Sequence, residues 1–368
     1  MIDKKFLSEF RGEINLSDWC YFKYKNNNNR NQWNCICSAM DWIEVSAEYI
    51  CAHPLSSIKS HQSIELYSYL SCVDIIVEAI EQLHRVIFST RKQVFENESD
   101  CFGDNQFHQN DRTYFKTLRA CFGAHPVNLD DPDDIEAKRF ASWSGGGFGT
   151  NNFSVILYSN KPNGQYITLG MKFAQVDQFV EKYYNHLIAL KQELHLQDEK
   201  FRKKKSKTKI ERCNDPVEQL KILKKESSER LNNDYYRTTI DELLLMYETS
   251  ISCEENADMV LKYRKALIPL IKEIYGNLQN MTLVDLQYDN LLSPTPDTLP
   301  NGWGYCLEKL SNAVNGSGYP EFVWIDMVEN HFGDKFVFEY ESIQELYVLV
   351  HALLSQMTDN PQGDTLWN

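Results

Sequence analysis

One short segment, Asp111-Arg112-Thr113-Tyr114-Phe115-Lys116-Thr117-Leu118-Arg119-Ala120-Cys121-Phe122-Gly123-Ala124-His125-Pro126-Val127-Asn128, holds two residue types suited to phosphodiester cleavage without a metal. Arg119 is a permanent cation whose planar fork can grip a phosphate and stabilise charge developing on a phosphorane. His125 carries an imidazole that can take or give a proton near neutral pH. RNA provides its own nucleophile in the 2′-hydroxyl, so no Ser or Cys nucleophile is required, and a 2′,3′-cyclic phosphate and a free 5′-hydroxyl are the expected products. Arg112 and Lys116 share a three- and four-residue spacing with Arg119 around Tyr114 and Phe115, a small basic patch with stacking surfaces for RNA, or else a helix whose aromatics are core. Lys203, Lys204 and Lys205 lie in a lysine-rich run, Lys200 to Lys209, that could contact an RNA backbone by counterion release, with a solvated linker as the plainer account.

On a straight helix the six positions from Arg119 to His125 rotate by about 600°, leaving the two side chains about 120° apart. Pro126 takes His125 out of helical geometry, so its direction is not set by the helix. A purely structural account also exists: a His at a helix C-terminus interacts favourably with the terminal carbonyls.

The Arg119, five residues, His125 pattern, near a helix end and after a long amphipathic helix, resembles the HEPN superfamily over about 36–196. That family comprises helical-bundle ribonucleases and nucleotide-binding proteins of toxin–antitoxin, phage-defence and RNA-processing systems. The resemblance implies a metal-independent endoribonuclease in a toxin or phage-defence setting, and a homodimer that brings both Arg–His pairs into one cleft. It also implies an acidic helper on the earlier helix, a role open to Asp74, Glu78 or Glu81. Two positions depart from the family pattern. The residue after the Arg, commonly polar in active members, is Ala120, and the position two after the His, where some members carry a nucleotidylated Tyr, is Val127. The alternative is therefore a non-catalytic HEPN-like regulator that binds a nucleotide, RNA or a partner protein.

These residues need elements to position them. Ile64, Tyr67, Leu70, Val73, Ile76, Val77, Ile80, Leu83 and Ile87 recur at three- and four-residue spacing, predicting one apolar stripe on a long helix over 63–89. A helix over 36–52 precedes it, ending before Pro54; residues before Gln32 read as a leading segment without assigned structure. Asp111 is the expected N-cap of a helix over 114–124. Residues 153–159 and 165–173 alternate like strands about Asn160-Lys161-Pro162-Asn163-Gly164, a β-hairpin, and a helix over 175–198 follows. Gly145-Gly146-Gly147 reads as a loop, because no strand precedes it and no GK[ST] ends it. The second half reads as helices near 216 and over 240–249, 256–278, 305–314 and 342–357, with short strands at 321–327 and 335–340. The fold class is thus mainly α: a HEPN-like helical bundle with an inserted β-hairpin at about 153–173, then a second, mostly helical domain. The expected domains are 1–199, a basic linker at 200–212, and an acidic domain at 213–368.

Composition sharpens that division. Through Arg212 there are 27 basic and 27 acidic residues, and from Cys213 onward 11 basic against 25 acidic, so the net charge of −14 lies wholly in the second half. A polyanion would be repelled there and would have to dock on the first half, while the acidic half suits a regulatory protein partner. The 42% hydrophobic and 12% aromatic content excludes a disordered chain. No stretch approaches the ~20 apolar residues of a membrane span, and the N-terminus turns acidic too early for a signal peptide, so the expectation is a cytoplasmic protein that does not engage a membrane. The ten cysteines are scattered, with Cys35-Ile36-Cys37 the one close pair and no CxxC, so reduced thiols are expected and neither a metal nor a cofactor.

Overall fold

The structure, a computed structural model, describes residues 2–27, 29–59, 62–103, 105–124, 128–130, 136–142, 145–231, 234–292, 303–316, 337, 339–356 and 366–367. The chain divides into two compact units, Met1–Asp198 and Glu199–Asn368. It is mainly helical, and its strands form one small antiparallel sheet in the first unit. Among the described residues no helix is long and apolar enough to cross a membrane.

The first unit opens with α1 (Lys4–Leu16) and α2 (Asp18–Lys25), where no structure was assigned from sequence. The signals are present in hindsight. Asp3 accepts a hydrogen bond from the Lys5 N–H at 2.9 Å, and Leu7, Phe10 and Ile14 make a helical stripe that is buried. Next come α3 (Trp33–Ala52), α4 (Ser63–Ile87) and α5 (Asp111–Arg119). The α4 stripe is buried from Leu70 through Ile87, but its first two members turn outward, Ile64 being 61% exposed and Tyr67 36%. Ile36, Met40 and Ile43 of α3 oppose it in the same core, completed by Val176, Phe179, Tyr183 and Leu187 of α6 (Phe173–Lys207).

Between α5 and α6 lie β1 (Leu129–Asp130), β2 (Lys138–Ala141), β3 (Gly145–Gly146), β4 (Phe153–Ser159) and β5 (Ile167–Met171). The expected hairpin is β4–β5, in the register Phe153↔Met171 to Leu157↔Ile167. Along the other edge of β4, β2 pairs with its C-terminal end and β3 with its N-terminal end, and β1 extends the sheet beyond β2. The glycine run therefore contains a short strand rather than only a loop.

Most of the lysine-rich run is a helix end: α6 continues to Lys207, and Ile210 beyond it is buried in the second core. Lysine is a good helix former, so a polar run prolongs a helix once packing has nucleated it. The second unit contains α7 (Pro216–Arg230), α8 (Arg237–Glu248), α9 (Glu254–Ala266), α10 (Ile268–Asn280), α11 (Trp303–Val314) and α12 (Ile343–Gln356). Asp215 caps α7 by accepting from the Glu218 N–H at 2.9 Å, with Pro216 in the first turn. The single helix expected over 256–278 is broken at Leu267, where Pro269 enters the first turn of α10. Helix α12 is buried from Glu345 through Leu354 and is the centre of this unit. The expected strand at 321–327 lies outside the described residues; of 335–340, Val337, Glu339 and Tyr340 are described and are not in a strand.

Candidate functional site

Helix α5 is fixed at its start by three hydrogen bonds. Asn110, rather than the expected Asp111, is the N-cap, its side chain accepting from the Thr113 N–H at 2.9 Å. Asp111 is buried instead, its two carboxylate oxygens accepting from the Cys101 and Phe102 N–H groups, each at 3.0 Å. The apolar side of α5 then enters the core: Phe115 stacks on Phe179 with ring centroids 4.8 Å apart, and Leu118 is buried. Tyr114 packs edge-on to Phe102. The aromatics beside the basic residues are thus core, not a stacking surface for bases.

The other side of α5 carries Arg112, Lys116 and Arg119, and it faces Asp74, Glu78 and Glu81 of α4. Arg119 Nη1 lies 3.1 Å from Asp74 Oδ2, Lys116 Nζ 3.2 Å from Glu78 Oε1, and Arg112 Nη2 2.7 Å from the same Glu78 oxygen. Arg112 Nε is 3.6 Å from Glu81 Oε1. Both triplets are spaced four and three residues apart, and they pair in reverse order, as two antiparallel helices require. Three cations meet three anions, so the ladder is formally neutral.

Its rungs differ in burial. The Arg112 and Glu81 side chains are 12% and 11% exposed, and burial pushes the Glu81 carboxyl upward against the opposing pull of Arg112. Arg112 Nη1 and Glu81 Oε1 are buried without a hydrogen-bond partner among the described residues. At the other end Arg119 is 33% exposed and Asp74 15%. Arg119 Nε, Asp74 Oδ1 and Ser71 Oγ are each buried with no hydrogen-bond partner among the described residues. A partly exposed ion pair contributes about 0–1 kcal/mol, so a phosphate could share or displace this one. Of the three acids open to the helper role, the one in contact with Arg119 is Asp74.

After Arg119 the chain makes a π-helical turn, Ala120–Ala124, interrupted by non-helical torsions at Gly123. A Cβ at Gly123 would lie 2.6 Å from Tyr67 Cδ2 and 3.0 Å from the Tyr67 Cβ and Cγ atoms. Glycine is therefore needed for close approach to α4, one residue before Ala124. One α4 stripe, Tyr67, Ser71, Asp74, Glu78 and Glu81, thus follows α5 and its terminal turn. Tyr67 and Ser71 were not singled out from sequence, although they continue the three- and four-residue spacing of the acids. His125 itself, with Pro126 and Val127, lies outside the described residues. Lys203, Lys204 and Lys205 fall in the second unit on the last turns of α6, where Lys205 Nζ is 3.9 Å from Glu229.

Other histidines have partners too. His84 and His186 meet across α4 and α6 with Nδ1 and Nε2 3.0 Å apart. Burial lowers both pKa values, that of His186 to about 4, so the pair is neutral at physiological pH. His351 is buried between the carbonyl oxygens of Tyr347 and Leu292, at 2.9 and 3.1 Å. Among the described residues no group of three or more His, Cys, Asp or Glu side chains is placed to hold a metal ion.

Beside the ladder, α3 and α4 enclose an open groove of about 370 Å³, bordered by Asp74 and Glu78. Trp42, 55% exposed, forms one wall. No family model, curated protein or solved structure matches this chain.

Proposed function

We propose that the first unit is a HEPN-like, metal-independent endoribonuclease acting on single-stranded or looped RNA. The observation that carries this reading is the state of Arg119. It stands at the end of α5, six residues before His125 in sequence, one-third exposed and tethered by one carboxylate. A guanidinium so placed can accept a phosphodiester without a large rearrangement, and Asp74 orients it.

In the reaction, Arg119 holds the non-bridging oxygens of the scissile phosphate. The 2′-oxygen bonds to phosphorus as its proton passes to His125, and the bond to the 5′-oxygen breaks. That oxygen takes a proton from the medium, leaving a 2′,3′-cyclic phosphate and a 5′-hydroxyl. A homodimer and a toxin or phage-defence setting belong to this proposal through the family resemblance.

A second reading, a regulator that binds RNA or a nucleotide without turnover, is favoured by the ladder itself, since each cation on that face of α5 faces an α4 carboxylate. One experiment separates them. Purified full-length protein is incubated with single-stranded RNA in EDTA, beside the His125→Ala variant. Cleavage that persists in chelator and is lost in the variant supports the nuclease. Retained RNA affinity with no cleavage supports the regulator, and cleavage unaffected by His125→Ala ends the nuclease proposal.

A further inference from the structure

The groove between α3 and α4 has a chemistry different from that of the ladder. Its floor and walls include Ala39, Ile75 and Ala79, with Ser38 and Gln82 at the edges and the broad, exposed face of Trp42 on the α3 side. Trp42 also lines a second hollow of about 520 Å³, with Asn34, Cys37, Ser38, Asp41 and Val45. An indole left 55% exposed beside an apolar trough offers area for a flat ring to stack upon. The groove volume falls within the roughly 300–1,000 Å³ of small-molecule sites.

Among the described residues, the charged groups that line this groove are both acids, Asp74 and Glu78, with no Lys or Arg beside them. A phosphate is therefore unwelcome in the trough; the occupant must be flat and must present hydrogen-bond donors along one edge. Glu78 is the acceptor available to it. Both of its ion pairs, with Arg112 and Lys116, run through Oε1, and its side chain is 46% exposed. Asp74 joins this groove to the phosphate-binding guanidinium, because it lines the trough and holds Arg119 at 3.1 Å.

Among the nucleobases, guanine alone presents two adjacent donors, N1–H and the N2 amine, on its Watson–Crick edge. Adenine and cytosine present one donor beside a ring-nitrogen acceptor, and uracil one donor flanked by two carbonyls; against a carboxylate, each sets an acceptor next to an acceptor. We propose that this groove is a guanine subsite: the base stacks on Trp42 and donates from N1 and N2 to Glu78 Oε2, the oxygen outside its two ion pairs, while the neighbouring phosphate meets Arg119. The proposal rests on the RNA reading above and makes the enzyme guanine-selective.

The test uses free nucleosides, which carry no phosphate and so do not depend on Arg119 or His125. Guanosine, adenosine, cytidine and uridine are titrated into full-length protein, with binding followed by indole fluorescence and by isotope-edited NMR of the Trp42 side chain. The expected result is saturable guanosine binding at least about tenfold tighter than for the other three. Trp42→Ala should weaken it by about tenfold or more, as expected for loss of a stacked aromatic. Glu78→Gln, whose carbonyl oxygen stays with Arg112 and Lys116 and whose amide donor takes the place of Oε2, should remove the preference for guanosine while leaving Trp42-dependent stacking. Equal binding of all four nucleosides, or none, overturns the subsite. So does a Trp42→Ala variant that changes only the sedimentation of the protein, which would make the groove a contact between copies of the chain. Guanosine binding without RNA cleavage leaves the subsite standing and removes the nuclease; cleavage without guanine preference does the reverse.

Discussion

Replacing Gly123 by Ala tests the close contact between α4 and the turn that follows α5. The added methyl would lie 2.6 Å from Tyr67 Cδ2 and 3.0 Å from two further Tyr67 atoms, against about 3.4 Å for an ordinary contact. Overpacking of this size costs about 1–3 kcal/mol. Alanine also restricts the unfolded chain, which returns about 0.4–1 kcal/mol. The net expectation is destabilisation by about 1–2 kcal/mol, toward the lower end because Tyr67 is 36% exposed and its ring can swing partly outward. Tyr67→Ala removes the Cδ2 and Cγ contacts and leaves only the one to Cβ at 3.0 Å, so in that background Gly123→Ala should cost at least about 0.5 kcal/mol less and fall near neutral. The assay is native-state hydrogen exchange of α4 amides across a urea series, which isolates the first unit within the full chain. The reasoning is refuted if Gly123→Ala costs less than about 0.5 kcal/mol, or if its cost is the same with and without the Tyr67 ring.

Other consequences follow from the same geometry. Asp111→Ala strands the buried Cys101 and Phe102 N–H groups, so urea unfolding should show a loss of about 3 kcal/mol, and Asp111→Asn, which keeps one acceptor, about half of that. The His84–His186 pair should make the fold acid-sensitive. Because the folded pKa of His186 is lowered to about 4 while an unfolded histidine titrates near 6.5, stability is fully present above about pH 6.5 and falls as pH drops toward about 4. The shift alone corresponds to about 3 kcal/mol, reduced to about 2 because the ring is only partly shielded from solvent. His186→Leu should flatten the stability–pH profile in that window, and an unchanged slope would contradict the assignment.

Much of the helical frame was legible in the sequence because periodic burial needs periodic apolar residues: α4, α7, α11 and α12 lie where spacing, caps and Pro216 put them. What escaped did so for identifiable reasons. Helices α1 and α2 sit in a polar, Asn-containing stretch where three buried residues in α1 and two in α2 carry little weight against their surroundings. The strands β1, β2 and β3 are two to four residues long, too short for alternation to register, and exist because β4 offers edges to pair with. The split between α9 and α10 was signalled by Pro269 but hidden by an apolar pattern that continues across it.

At the site, types and spacing pointed to Arg119 and to three equivalent acids, and only the relative axial position of α4 and α5 selects Asp74 as its partner. The same packing consigns Tyr114 and Phe115 to the core, which spacing alone left open. Tyr67 was assigned to the apolar stripe because side-chain type does not tell whether a ring faces the core or a passing turn. Trp42 carried no signal in a sequence read for charge and nucleophiles, since its meaning comes from the groove beside it.

The measurement that bears most directly on the central claim is the chemistry of the cut ends. RNA treated in EDTA with wild-type protein, and with Arg119→Ala of verified fold, is analysed by mass spectrometry. Wild type should yield fragments ending in 2′,3′-cyclic phosphate with matching 5′-hydroxyl ends, and Arg119→Ala should yield essentially none. Fragments bearing 3′-hydroxyl ends, or the same cyclic products in equal amount from the variant, would contradict a guanidinium acting at the scissile phosphate.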